Sequence, residues 1–242
     1  MSIVQSVSPA ATGEWNEPEG VGARGTLIVL VGRGENADVY RRFGTRIGSD
    51  AYRVRTVVDA VQDPAAAREQ VAQLLADESL PSPKVLVGSD TGAAFALELA
   101  AEGAPAAAVV IAGLPTVEHV EAGAWPEELE ARTACSTHQG VLARTVEKGA
   151  LWKPLPADLL GIVSSAVSVP VLAIHGAADA ISPASQAIAV YAGLPRHEIA
   201  IVAGGRHDIL NDVTHRSVAA TVILFLERLR LDAALTPIIE TR

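Results

Sequence analysis

Apolar residues fall into short continuous runs along most of the chain, and these runs alternate with segments whose apolar positions recur at helical spacing. The run TLIVLVG at 26–32 is rich in β-branched residues and ends in glycine, as expected of a strand buried on both faces of a parallel sheet. A helix pattern follows at 38–49. YRVRTVVD at 52–59 then reads as a strand, AAAREQVAQLLADE at 65–78 as a helix, KVLVG at 84–88 as a strand, and GAAFALELAAE at 92–102 as a helix closing at Gly103. Three further core strands are expected in AAAVVIAG at 106–113, VPVLAIHG at 169–176 and EIAIVAG at 198–204, with helices at 186–192 and 217–231. Strands that alternate with helices need crossover connections, which predicts an α/β fold: a mainly parallel sheet with helices on both faces.

Two stretches depart from this rhythm. Residues 1–25 carry Pro9, Pro18 and several glycines and read as an irregular lead-in, with a possible edge strand at 2–7. Between 116 and 168 no strand pattern is found, but Trp125, Trp152 and a charged run at 127–132 are. That segment is expected to form a short helical cap above the carboxyl edge of the sheet, where ligand sites of α/β folds form. The core is thus divided into 26–115 and 169–242. The charged run is expected to be a solvated helix face.

With 242 residues, 49% hydrophobic and 19% charged, the chain can bury one large core. Its 28 acidic and 19 basic side chains leave −9, which opposes attraction to phosphate backbones and anionic lipid. Neither nucleic acid nor membrane insertion is expected, and the runs at 26–31 and 218–226 are too short to span a bilayer. Cys135 is the only cysteine, which fits a reducing, cytoplasmic setting. The implied partner is a small-molecule substrate; oligomeric state is not legible.

The chemistry concentrates at strand ends. Gly88-Ser89-Asp90-Thr91-Gly92 lies between a strand and a helix. A G-x-nucleophile-x-G turn there holds its middle residue exposed and strained, while small flanks let the helix pack closely. The middle residue is Asp90. Asp179 follows the strand VPVLAIHG and His207 follows EIAIVAG; parallel strands bring all three to one edge, in the order nucleophile, acid, histidine.

On these residues the chain resembles the α/β-hydrolases from 26 to 231, most nearly the compact lysophospholipase-like members. An aspartate at the turn is similar to that of epoxide hydrolases and haloalkane dehalogenases. The resemblance implies an α/β-hydrolase fold, Asp90 as nucleophile, His207 as base, Asp179 as its orienting acid, and an oxyanion hole from the backbone N–H groups of Thr91 and Arg33. It implies no metal or organic cofactor. The sequence departs from the pattern at Val31-Gly32, where the family has His-Gly, and at Thr91, where dehalogenases have tryptophan. Tyr40, Tyr52 and Tyr191 lie outside the expected cap, so Trp125 and Trp152 are the candidates to line the pocket. A carboxylate can displace a leaving group at an alkyl carbon and leave the histidine free to activate water. Attack on an ordinary ester would instead give an anhydride, so a carboxylic-ester or lysophospholipid hydrolase is the less favoured alternative.

Other readings compete. Asp90 can be a helix cap, and Ser89 is a rival nucleophile one position away. Cys135 with His138, and His207 with His215, are pairs whose spacing matches no usual catalytic or metal pattern. Asp208, Asn211 and Asp212 read as groups that stabilise the next helix start. Gly32-Arg33-Gly34-Glu35-Asn36-Ala37 matches G-x-G-x-x-A and would suit a dinucleotide-binding oxidoreductase. A catalytically silent, small-molecule-binding homologue is the third class.

Overall fold

The computed structural model describes residues 12–117, 121–160 and 164–239. The expected strand at 2–7 lies outside them. The lead-in does supply an edge strand, at β1 (Glu14–Trp15), followed by β2 (Gly25–Leu30), β3 (Tyr52–Val57), β4 (Lys84–Ser89), β5 (Ala108–Ala112), β6 (Val171–Gly176) and β7 (His197–Val202). Among the described residues these form one sheet in the order β1-β3-β2-β4-β5-β6-β7. Every pairing is parallel except β1 with β3.

The helices are α1 (Arg41–Ser49), α2 (Pro64–Ala76), α3 (Thr91–Ala101), α4 (Trp125–Arg132), α5 (Ser136–Thr145), α6 (Ala184–Tyr191) and α7 (His215–Leu231). Local chemistry sets their starts. Asp63 caps α2 by accepting from the Ala66 amide, and Pro64 occupies the first turn, where its missing N–H costs nothing. The period of two along β2 divides the core. Leu27, Val29 and Val31 join the layer containing Phe43 and Ile47 of α1 and Phe225 of α7, whereas Ile28 and Leu30 join that containing Phe95 of α3 and Tyr191 of α6.

Chain order reverses between β2 and β4: the chain moves from β2 outward to β3, then returns to the other side of β2. Such a switch point opens a crevice at the carboxyl ends of the two strands. The loop after β2 carries Gly32 and Arg33, and the turn after β4 carries Asp90. Residues between β5 and β6 form α4, α5 and short 3-10 turns, with no strand among those described. No helix among the described residues is long and apolar enough to cross a membrane.

Candidate active site

Asp90 sits between β4 and α3 at φ 49° and ψ −123°, a backbone state that L residues rarely adopt. The turn is possible because its flanks lack side chains. A Cβ on Gly88 would lie 2.2 Å from the Gly92 carbonyl oxygen, and one on Gly92 would lie 2.1 Å from that of Leu30. The Asp90 amide donates to the Ala112 carbonyl at 3.0 Å, anchoring the turn to the end of β5. Gly113, at φ +57°, clears space for the His207 loop, whose carbonyl oxygen would be 2.6 Å from a Cβ there.

Asp90, His207 and Asp179 meet. His207 Nδ1 is 2.9 Å from Asp179 Oδ2, and Nε2 is 3.2 Å from Asp90 Oδ1. Asp179 is fixed in turn: its Oδ1 accepts from the amides of Ile181 and Ser182, and its Oδ2 also lies 3.2 Å from His175 Nε2. Both imidazole nitrogens of His207 thus face ionised oxygens that can only accept, an arrangement that suits the imidazolium. Burial works to lower the His207 pKa, but the charges and hydrogen bonds of Asp179 and Asp90 outweigh it and raise it to about 10. Burial pushes both carboxyls up, yet Arg33 and His207 hold Asp90, and His207 and His175 hold Asp179, well below the usual carboxylate range.

The Arg33 side chain was not foreseen as part of this site. Its backbone amide, expected in an oxyanion hole, donates to Asp90 Oδ2 at 3.1 Å, and its guanidinium adds Nε to Oδ2 and Nη2 to Oδ1, both at 2.8 Å. Asp90 therefore has two donors on each oxygen and is 2% exposed. The remaining guanidinium nitrogen reaches the carbonyls of Leu151 and Lys153, so Arg33 ties the 149–153 segment to the nucleophile turn. The Thr91 amide has no hydrogen-bond partner among the described residues.

A second buried cluster supports the Arg33 loop and corrects two expectations. Within the charged run 127–132, expected to be solvated, Glu128 and Arg132 are both 0% exposed. Arg132 bonds Glu35 at 2.9 Å and Glu128 at 3.2 Å, lies 3.5 Å from Asp208, and donates to the Arg33 carbonyl. Glu35 returns to the loop by accepting from the Gly32 amide and from the Tyr40 hydroxyl. Burial, and the charge of Asp208, raise the Glu35 pKa to about 7 against the pull of Arg132. Asp208 and Asp212 do not cap α7 through their side chains. Asp208 bonds His138 as well as Arg132, and Asp212 accepts from Thr133, the Ala134 amide and the Arg206 amide. The sequence signal for the cluster was the i,i+4 pair Glu128 and Arg132, which has the same spacing as a surface ion pair.

The other candidates sit apart. Trp125 packs against the core with the Lys148 ammonium over its ring, and Trp152 has a buried indole nitrogen without a partner; neither bonds to the three site residues. Ser89 makes no hydrogen bond to His207 and lies beside the Tyr40 hydroxyl. His138 is taken by Asp208, and Cys135 by Arg42. In the G-x-G-x-x-A stretch, the Gly34 amide donates to Asp59 and the Arg33 side chain fills the turn. The donors a pyrophosphate would need are therefore already used.

No protein-family model matches the sequence, and no curated protein matches it. Solved structures do. A soluble variant of monoglyceride lipase from Saccharomyces cerevisiae superposes with a TM-score of 0.73 at 15% identity, covering 90% of this chain and 91% of that one. Paleococcus ferrophilus monoacylglycerol lipase gives 0.71 at 13%, covering 93% and 99%. A thermophilic esterase from Thermogutta terrifontis gives 0.67 at 15%, covering 91% and 93%. The sheet order, the turn at Asp90 and these likenesses identify the fold of this chain as that of the α/β-hydrolases.

Proposed function

We propose that this protein is a hydrolase that cleaves a small apolar organic substrate at an alkyl carbon, through an ester on Asp90, in the manner of epoxide hydrolases and haloalkane dehalogenases. The observation that carries the reading is the division of labour between the two Asp90 oxygens. Oδ2 rests on the Arg33 amide, while Oδ1 faces His207. In the first step Oδ1 bonds to the substrate carbon, the bond to the leaving group breaks with its electron pair, and the His207 imidazolium gives the leaving group its Nε2 proton. Alkylation removes the Asp90 charge. His207 then faces Asp179 alone, its pKa falls, and it becomes a base able to take a proton from water. Hydroxide adds to the Asp90 carboxyl carbon, and the oxyanion forms at Oδ2 against the Arg33 amide. Collapse expels the alkoxide, which takes the proton of the new acid and restores the Asp90 carboxylate beside a charged His207.

A single turnover in heavy-oxygen water tests this route. The label is expected in the Asp90 carboxylate and not in the product alcohol; label in the alcohol alone would overturn the ester. Asp90→Asn is expected to abolish turnover, and retained turnover would assign the chemistry to another group.

One observation favours a second reading, a binding protein without hydrolytic activity: with four donors on Asp90, no lone pair is free until Arg33 withdraws. Arg33→Gln separates the two. If neither the wild-type protein nor this variant turns over haloalkanes, epoxides or esters, the silent reading stands.

A further inference from the structure

A groove of about 890 Å³ runs between α1 and α5 and is closed at one end by the start of α7. It is separate from the Asp90 site. Five of the chain's 19 lysines and arginines line it: Arg41, Arg42 and Arg46 from α1, Arg144 from α5, and Arg216 from α7. The single carboxylate in its wall, Asp38, is already paired with Arg41. This concentration of positive charge runs against the −9 of the whole chain.

Pairing elsewhere makes the contrast sharper. Arg24 is matched by Glu227, Arg53 by Glu17, Arg68 by Glu98 and Glu102, and Arg228 by Glu198. Among the described residues, Arg46, Arg144 and Arg216 have no carboxylate partner. Arg42 bonds only the Asn211 carbonyl and Cys135. The uncompensated field is felt at His215, which also lines the groove. Burial lowers its pKa, and Arg42, Arg216, Arg46 and His138 lower it further. Unpaired like charges around a concavity repel one another in the empty state, and an anion seated there relieves that repulsion.

We propose that this groove binds a small anion carrying two or more phosphate groups. Guanidinium forks bind phosphate oxygens in pairs, and each phosphate offers three acceptor oxygens where a carboxylate offers two, so neighbouring arginines can share one group. The groove is too large for a single phosphate and lies within the roughly 300–1,000 Å³ range of small-molecule sites. Three unpaired arginines on three different helices match several charged groups spread along one ligand.

Titration calorimetry of the full chain with tripolyphosphate tests the proposal, at about 0.15 M ionic strength, where diffuse attraction is screened beyond about 8 Å. A saturating single-site isotherm is expected. Arg46→Gln and Arg216→Gln, both at exposed positions, are each expected to weaken binding about tenfold, the scale of one lost charge-assisted hydrogen bond. Arg230→Gln, at the far end of α7, is expected to leave binding unchanged. Binding is also expected to raise the His215 pKa, read by NMR of its ring. Citrate bound as tightly as tripolyphosphate would reduce the groove to a diffuse charge effect and overturn the assignment. So would an unchanged affinity in both groove variants, or binding to vesicles carrying phosphorylated lipid without binding to free tripolyphosphate.

Discussion

Replacing Arg132 by methionine removes the cation at the centre of the second buried cluster while keeping most of the side-chain volume. Three carboxylates then lose their arginine partner and keep only their other donors: Glu35 at 2.9 Å, Glu128 at 3.2 Å and Asp208 at 3.5 Å. At an effective dielectric of about 20, each attraction is on the order of 5 kcal/mol. The guanidinium no longer has to be desolvated, which returns several kcal/mol. Breaking a buried pair from one side typically leaves a net loss of about 3–5 kcal/mol. For a domain of this size that corresponds to a fall in Tm of roughly 6–20 °C.

The pH dependence makes the prediction specific. The folded-state pKa of Glu35 is raised to about 7 from 4.5, so the folded protein binds that proton more tightly than the unfolded chain does. The associated stability is present below 4.5 and is lost as pH rises to about 7, on the order of 3 kcal/mol in all. Without Arg132 the Glu35 pKa rises further and the loss continues to higher pH. The deficit of the variant is therefore expected to widen between pH 5.5 and pH 8, by about 1 kcal/mol over that interval. Urea unfolding followed by tryptophan fluorescence at both pH values measures it, and adding Glu35→Gln to Arg132→Met is expected to remove the widening. A deficit below about 1 kcal/mol at both pH values, the scale of an exposed ion pair, would refute the account of this cluster.

Three further outcomes are expected. His207→Gln leaves the second step of the proposed route without its water-activating base, so with a haloalkane, whose halide leaves without needing a proton, intact-protein mass spectrometry should find the alkylated enzyme accumulating; a bare protein after exposure to a haloalkane that the wild type turns over would count against Asp90 as nucleophile. The folded-state pKa of His207 is raised to about 10 from 6.5. Its contribution to stability is therefore complete below pH 6.5 and disappears as pH rises through 10, and kcat/KM should fall over the upper limb if the imidazolium protonates the leaving group. Gly92→Ala places a methyl group 2.1 Å from the Leu30 carbonyl oxygen, a backbone clash with no flexible neighbour to yield. Chemical denaturation should show a loss of about 3 kcal/mol or more.

The strands and helices were legible because both faces of this sheet are covered, so each core strand reads as an unbroken apolar run whose ends need no tertiary information. Asp90, Asp179 and His207 were legible for a related reason: a parallel sheet delivers all its strand ends to one edge, and their spacing in sequence does not matter. Charge was the illegible property. Glu127 and Glu128 are adjacent and chemically alike, yet one is exposed and the other is 0% exposed. Glu128 turns inward because Arg132 and the amides of Gly149 and Leu151 receive its carboxylate, and the two amides lie some twenty residues away in the chain. The same blindness applied to Arg33, whose backbone role followed from its place after β2 but whose side chain folds back onto Asp90. These buried charges are not independent. Arg33 and His207 balance Asp90 and Asp179, while Arg132 is outnumbered by Glu35, Glu128 and Asp208, and burial together with the charge of Asp208 raises the Glu35 pKa. Glu35 is also the group that holds the Gly32 amide, one residue from the Arg33 amide on Asp90. Protonation of Glu35 weakens its grip on that loop, which couples the charge state of the second cluster to the donor that would stabilise the oxyanion.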